Sequence, residues 1–201
     1  RPQGSFDPPR PQVVALMSAS ASSVPGRRDP LLRFLLLAAS LYMAWYLLYA
    51  FVLHPWGKLD HAVIDALIAT AGVVLRLLGY ALIPEPLNND HIRTIGVEGG
   101  HLLWIGDPCN GVSLFAVFVI FLIAYGGPWR HKAWFAVLGI LSIHLVNAFR
   151  VAALCIIVSI NYEWLNFNHD YTFYVIVYGW VFLLWYIWVK RFSGPAIGDR
   201  S

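Results

Sequence analysis

The chain has 201 residues, of which 59% are hydrophobic, 15% aromatic and only 12% charged, with a formal net charge of +3. Soluble domains carry about 25% charged residues, and half that density cannot coat a water-facing surface, so an ordinary soluble globular enzyme is excluded and the long apolar runs read as an integral membrane protein. The small positive excess lies in short Lys/Arg clusters beside apolar runs, which is the pattern of topology signals and gives nucleic-acid binding no support; two cysteines, Cys109 and Cys155, are too few for a disulfide framework or a Cys-rich zinc site.

Residues 1–30 are rich in Pro, Arg and Ser, lack apolar periodicity and are predicted to be a disordered cytoplasmic tail, with Met17 a candidate start inside it. The run 31–53 is broken only by Arg33 and is long enough to span, since about 20 residues cross the hydrocarbon core. Arg27, Arg28 and Arg33 place the N-terminus inside. The run 59–83 gathers His61, Asp65, Gly72 and Arg76 in one helical sector. It reads either as a span with a polar face turned into the protein or as an amphipathic helix in the interface. Pro84, Pro86, Asn88 and Asn89 then mark a turn region. Two β-prone stretches, 91–97 and 101–105, flank Glu98-Gly99-Gly100 and predict a small hairpin.

Three further apolar runs follow, at 112–125, 133–160 and 171–189. The turn 126–132 is tight and basic, the connection 161–170 has no Lys or Arg, and Lys190 and Arg191 close the last helix. Placing both termini and the 126–132 turn in the cytoplasm leaves only Lys58, Arg76, Arg93 and Arg150 outside among the 14 Lys/Arg. All acids but Asp7, Asp29 and Asp199 then fall outside. That parity requires four spans, so 59–83 stays on the outer side or re-enters. The predicted fold is an all-α integral membrane protein: about four transmembrane helices, an outer-side amphipathic or re-entrant helix and a small β-hairpin. A polytopic membrane domain over 31–191 lies between the 1–30 tail and a short cytoplasmic tail, 192–201.

The most informative stretch is Asp107-Pro108-Cys109-Asn110-Gly111. Asp is a favoured N-cap and Pro a favoured first helical residue. Cys109 is therefore expected in a first helical turn, where free N–H groups and the helix dipole stabilise a thiolate and can hold an oxyanion. The alternative is a small packed residue in a cap, since cysteine packs well as a hydrophobe. Arg150 lies within an apolar run, at a cost of roughly 2.5 kcal/mol or more at bilayer depth, and Asn147 is on the same helical face. Either the pair has a chemical task or it fastens helices. His169, beside Asp170, precedes the last helix. Counted from the cytoplasmic turns at 1.5 Å per residue, Cys109, Arg150 and His169 stand about 27–32 Å above the inner face, at one level.

Cys-Asn-Gly opening a membrane helix, Asn-x-x-Arg in the next and a His before the last resemble the exosortase/archaeosortase family over about residues 31–190. These are multi-pass membrane cysteine transpeptidases that process C-terminal sorting signals. The resemblance implies a Cys109 nucleophile, a His169 acid/base and a catalytic Arg150. Asn110, Gly111, Asn147 and Asp170 are supporting residues, with Asn147 orienting Arg150 and Asp170 orienting His169. It also implies substrates that are surface proteins ending in a short motif, a transmembrane helix and a basic tail. The site would face the outside of a prokaryotic cytoplasmic membrane.

No cofactor is expected. His54, His61, His91, His101, His131 and His144 show no HxxxH or HExxH spacing, so no metal site is expected either. His144 reads as a packed histidine, and Cys155, roughly 140° around the helix from Arg150, as facing packing or lipid. His61, Asp65 and Arg76 read as a solvated helix face or a substrate groove. Two rival functions stay open: a non-catalytic assembly or transport-channel subunit with Arg150 as glue, and thiol–disulfide exchange through Cys109 and Cys155.

Overall fold

A computed structural model describes residues 30–84, 93–167 and 173–192. Nearly all of both predicted tails lies outside the described residues, and Pro30 already belongs to the first helix. Helix α1, Pro30–Trp56, is apolar all round, and none of its most apolar window is buried inside the protein. Phe51 is 74% exposed. An apolar surface of that extent needs lipid rather than water. The helix packs against α3, Val112–Ala124, where the Phe34 ring meets Phe121 and Tyr125 edge-on at 5.7 and 5.8 Å. Near its end α1 widens into a π turn at Tyr49–Leu53, with the His54 N–H reaching back to Tyr49 O. Pro55 has no N–H to offer, and the helix ends at Gly57.

Helix α2, Lys58–Leu77, buries one stripe of Asp60, Ile64, Leu67, Ala71, Gly72 and Leu75, the spacing of a helix lying on a core. It is shorter than the predicted 59–83. Gly79 takes φ +88°, its N–H bonds Arg76 O at 3.0 Å, and the Tyr80 N–H bonds Leu75 O at 3.0 Å. That is a Schellman stop, which glycine makes at little cost. The apolar residues after it are extended: Leu82 pairs with Val97, and the Ile83 N–H bonds Gly96 O at 3.0 Å.

The predicted hairpin is present but short. Strands β1, Thr94–Ile95, and β2, Leu103–Trp104, pair antiparallel with Thr94 opposite Trp104 and Ile95 opposite Leu103. The remaining helices are α3, Val112–Ala124; α4, Trp129–Ile160; α5, Trp164–Phe167; and α6, Phe173–Arg191. Two cores share the long α4. In one, Leu67 and Leu75 of α2, Ile95 and Leu103 of the hairpin, and Val151 and Val158 of α4 pack together. In the other, Phe118 and Leu122 of α3, Phe135 and Ile143 of α4, and Val181 and Trp188 of α6 do so.

The protein is thus a mostly helical membrane protein with a small two-stranded sheet. Pro30–Trp56 and Trp129–Ile160 are long and apolar enough to cross a membrane, and Val112–Ala124 is a shorter apolar helix.

Candidate active site

Cys109 and Arg150 lie where the two cores meet, and they share two cavities. One, about 340 Å³, is lined also by Tyr42, Ser113, Asn147, Tyr178 and Trp185. The other, about 360 Å³, runs under the hairpin past Leu103, Trp104, Tyr162 and Leu165. The Cys109–Arg150 pair therefore stands in the wall between a pocket among the helices and one beneath the hairpin. Arg150 is 9% exposed. Its guanidinium lies over the Tyr174 ring of α6, with the carbon 5.7 Å from the centroid, and its Nε makes no hydrogen bond. Among the described residues it pairs with no carboxylate. A buried cation that no described carboxylate neutralises is costly to keep.

The local backbone differs from the sequence expectation. Asp107–Cys109 is a separate 3₁₀ turn, and α3 begins only at Val112. Gly111 between them has φ +84°, a conformation that no right-handed helix can carry through. Cys109 is therefore not in the first turn of α3, and Asp107 makes no side-chain cap bond there. Asn110 takes over the capping role, its Oδ1 accepting the Val112 N–H at 2.8 Å. The Asn110 N–H is spent on Asp107 O at 3.2 Å. This removes it from an oxyanion hole, while Arg150 lines both cavities.

Asn147, expected to orient Arg150, turns to the cysteine instead. Its Nδ2 donates to Cys109 O at 2.8 Å, and it is 1% exposed. Gly111 lies beside this contact, and a Cβ there would stand 3.4 Å from Asn147 Nδ2. His169 and Asp170 lie outside the described residues. Cys155 is buried against the hairpin, its Sγ 3.9 Å from Ile95 O, and lines neither of the two cavities. Neither cysteine is in a disulfide. His144 is a packed residue, its Nε2 3.2 Å from Thr70 Oγ1 of α2. The polar face of α2 borders a larger cavity of about 680 Å³, which Asp65 and Arg76 line with Gly72 and the hairpin. Arg93 there holds Asp65 through two hydrogen bonds. It contains neither Cys109 nor Arg150, and so lies apart from the thiol.

Sequence reasoning missed a polar cluster at the end of α1. Asp60 is 1% exposed. Its Oδ1 accepts the Tyr49 hydroxyl at 2.9 Å and Asn110 Nδ2 at 2.6 Å. His54 Nδ1 stands 3.5 Å from Asp60 Oδ2 and 3.6 Å from Asp107 Oδ2. His54, Asp60 and Asp107 are the group among the described residues whose ligand atoms, all within 4.8 Å of one another, suit a metal ion. The signal was present in the sequence: Asp60 occupies a slot of the buried stripe at 60, 64, 67, 71 and 75, where an apolar residue costs nothing.

No curated protein and no solved structure matches this chain. A family model described as Transmembrane exosortase (Exosortase_EpsH) does, over residues 31–190. The match runs through every helix described above and includes both sides of the Cys109–Arg150 wall, and on that coverage the chain belongs to the transmembrane exosortase family.

Proposed function

We propose that this protein is a membrane cysteine transpeptidase or peptidase that cleaves the C-terminal sorting signal of surface proteins through a thioester on Cys109. The observation that carries the reading is the shared position of Cys109 and Arg150 in the wall between two cavities. A substrate chain lying across that wall presents its scissile carbonyl to the thiol and the guanidinium together.

In this reading His169 takes the Cys109 thiol proton and Sγ attacks the carbonyl carbon. Arg150 stabilises the oxyanion. The C–N bond then breaks and the leaving amine takes the proton back from His169. Water, or an outside amine or hydroxyl, resolves the thioester. Asn147, Asn110 and Gly111 hold the cysteine turn, and Asp170 orients His169. The route uses no metal or cofactor at the reacting atoms. The substrate class is a surface protein with a short motif, a transmembrane helix and a basic tail, met within the lipid bilayer.

The proposed setting is a prokaryotic cytoplasmic membrane crossed by four spans, α1, α3, α4 and α6. The hairpin and 161–170 lie outside, and α2 stays on the outer side. Supporting this, α2 and the hairpin share a core with the 148–158 part of α4, the half remote from the basic 126–132 turn. Thiol–disulfide exchange is disfavoured by the burial of Cys155 beneath the hairpin. The test is co-expression with a surface protein that ends in motif, helix and basic tail. Cys109→Ala should leave it uncleaved in the membrane, and processing by that variant would overturn the reading.

A further inference from the structure

We infer that Asp60 is a positioning residue for the cysteine turn, acting through Asn110; the inference rests on the reading of Cys109 as the nucleophile. Asp60 belongs to α2 and touches neither cavity beside the thiol. Its buried carboxylate instead joins three elements. Oδ1 accepts from Tyr49 at the π turn of α1 and from Asn110 after the cysteine. Asn110 in turn accepts the first N–H of α3.

The same turn is held from the opposite side by Asn147 of α4, which donates to the Cys109 carbonyl. The nucleophile is thus pinned at its own carbonyl and at the side chain of its successor. Gly111, at φ +84°, would otherwise leave this segment free to swing. A charged acceptor shortens and strengthens the Asn110 bond relative to a neutral one. That gives a reason for a carboxylate in a slot where Leu would serve the packing at no cost. His54, within 3.5 Å of Oδ2, supplies the facing group on the solvent side.

Reciprocal exchange tests this. In a Cys155→Ala background, where Cys109 is the remaining thiol, Asp60→Asn weakens the bond, Asn110→Asp sets two carboxylates against each other, and the double exchange restores a donor–acceptor pair with its direction reversed. Three quantities are read: thermal midpoint in detergent, labelling of Cys109 by a bulky maleimide, and kcat and KM for substrate processing. At an unchanged midpoint, Asp60→Asn should make Cys109 about tenfold easier to label while lowering kcat about tenfold and leaving KM within about twofold, the scale of one charge-assisted bond. Asn110→Asp should exceed both effects, and the double exchange should return most of the way to wild type.

A thiol that becomes more accessible and less effective together is the signature of lost positioning. Wild-type labelling and kcat in a folded Asp60→Asn protein, or a double exchange no better than Asn110→Asp, would overturn the inference. Should Asp60→Asn fail to accumulate, Tyr49→Phe removes one of the two bonds to Oδ1 and should speed labelling about threefold; labelling at the wild-type rate would overturn it equally. If the wild-type protein processes no sorting signal, the enzymatic reading falls, and the labelling rates decide the positioning of Cys109 by themselves.

Discussion

Replacing Arg150 separates a catalytic guanidinium from structural glue, because the two roles predict opposite changes in stability. Arg150 is 9% exposed and its Nε has no hydrogen bond. Among the described residues its guanidinium rests on the face of Tyr174, with the carbon 5.7 Å from the ring centroid, a contact worth about 0.5–2 kcal/mol. Against that stands the desolvation of a cation, still several kcal/mol after relaxation. Exchanging a buried charge for a packed apolar side chain is often neutral or stabilising by about 1–4 kcal/mol. Arg150→Met should therefore unfold at the wild-type temperature or above it, while processing is lost. Arg150→Lys keeps a charge but loses the planar fork of donors; it should fold normally and lose about 10²–10³ in kcat, the usual cost of an oxyanion donor. The assay is thermal unfolding in detergent beside turnover of a sorting-signal substrate. A fall of more than about 3 kcal/mol in Arg150→Met, the cost expected when a buried pair is broken, would refute this and favour an assembly subunit.

Other substitutions follow from the backbone and packing. Gly111→Ala forces a side chain into φ +84°, costing about 1–2 kcal/mol, beside the Asn147 amide that holds Cys109; midpoint and turnover should fall together. Gly139→Ala is a pure packing test away from the thiol. Its Cβ would stand 2.2 Å from the Phe118 ring, so a loss of roughly 1–3 kcal/mol is expected by thermal unfolding. For topology, Arg130→Cys made with Cys109→Ala and Cys155→Ala should react with an impermeant maleimide only from the cytoplasmic side; labelling from outside would contradict the four-span arrangement.

Apolar runs made the helices and the membrane character legible in the sequence, because lipid-facing helices must be apolar over their length. The hairpin was legible from its Gly-Gly turn, and the Cys109–Arg150 pair from the oddity of polar groups in apolar runs. The misreadings all arose where a local rule met a competing one. The apolar residues of the run 59–83 continue to Ile83 and read as one helix, and Gly79 stops the helix at Leu77 whatever follows it. Asp107-Pro108 carries a helix-start signal, yet Gly111 breaks the turn before α3, so the cysteine is held by side chains rather than by a helix N-terminus.

The Tyr49–Asp60–Asn110 chain showed in the sequence only as an acid in an apolar stripe, and its partners were hidden for a different reason. Its longer link joins residues 50 apart, and no spacing rule reaches that far. The same holds for Asn147, whose helical face pointed to Arg150 while its amide reached Cys109, 38 residues away. His54 escaped because a search for histidine spacing cannot find a histidine set between two aspartates from other segments.

The central claim is that Cys109 becomes acylated, and acid-quench mass spectrometry of the enzyme caught during turnover reads this directly. The account predicts a substrate fragment joined to the peptide containing Cys109 and released by hydroxylamine, as a thioester is. The adduct should be absent in Cys109→Ala and undiminished in Cys155→Ala. Turnover without any adduct on Cys109, or an adduct or disulfide that requires Cys155, would contradict it.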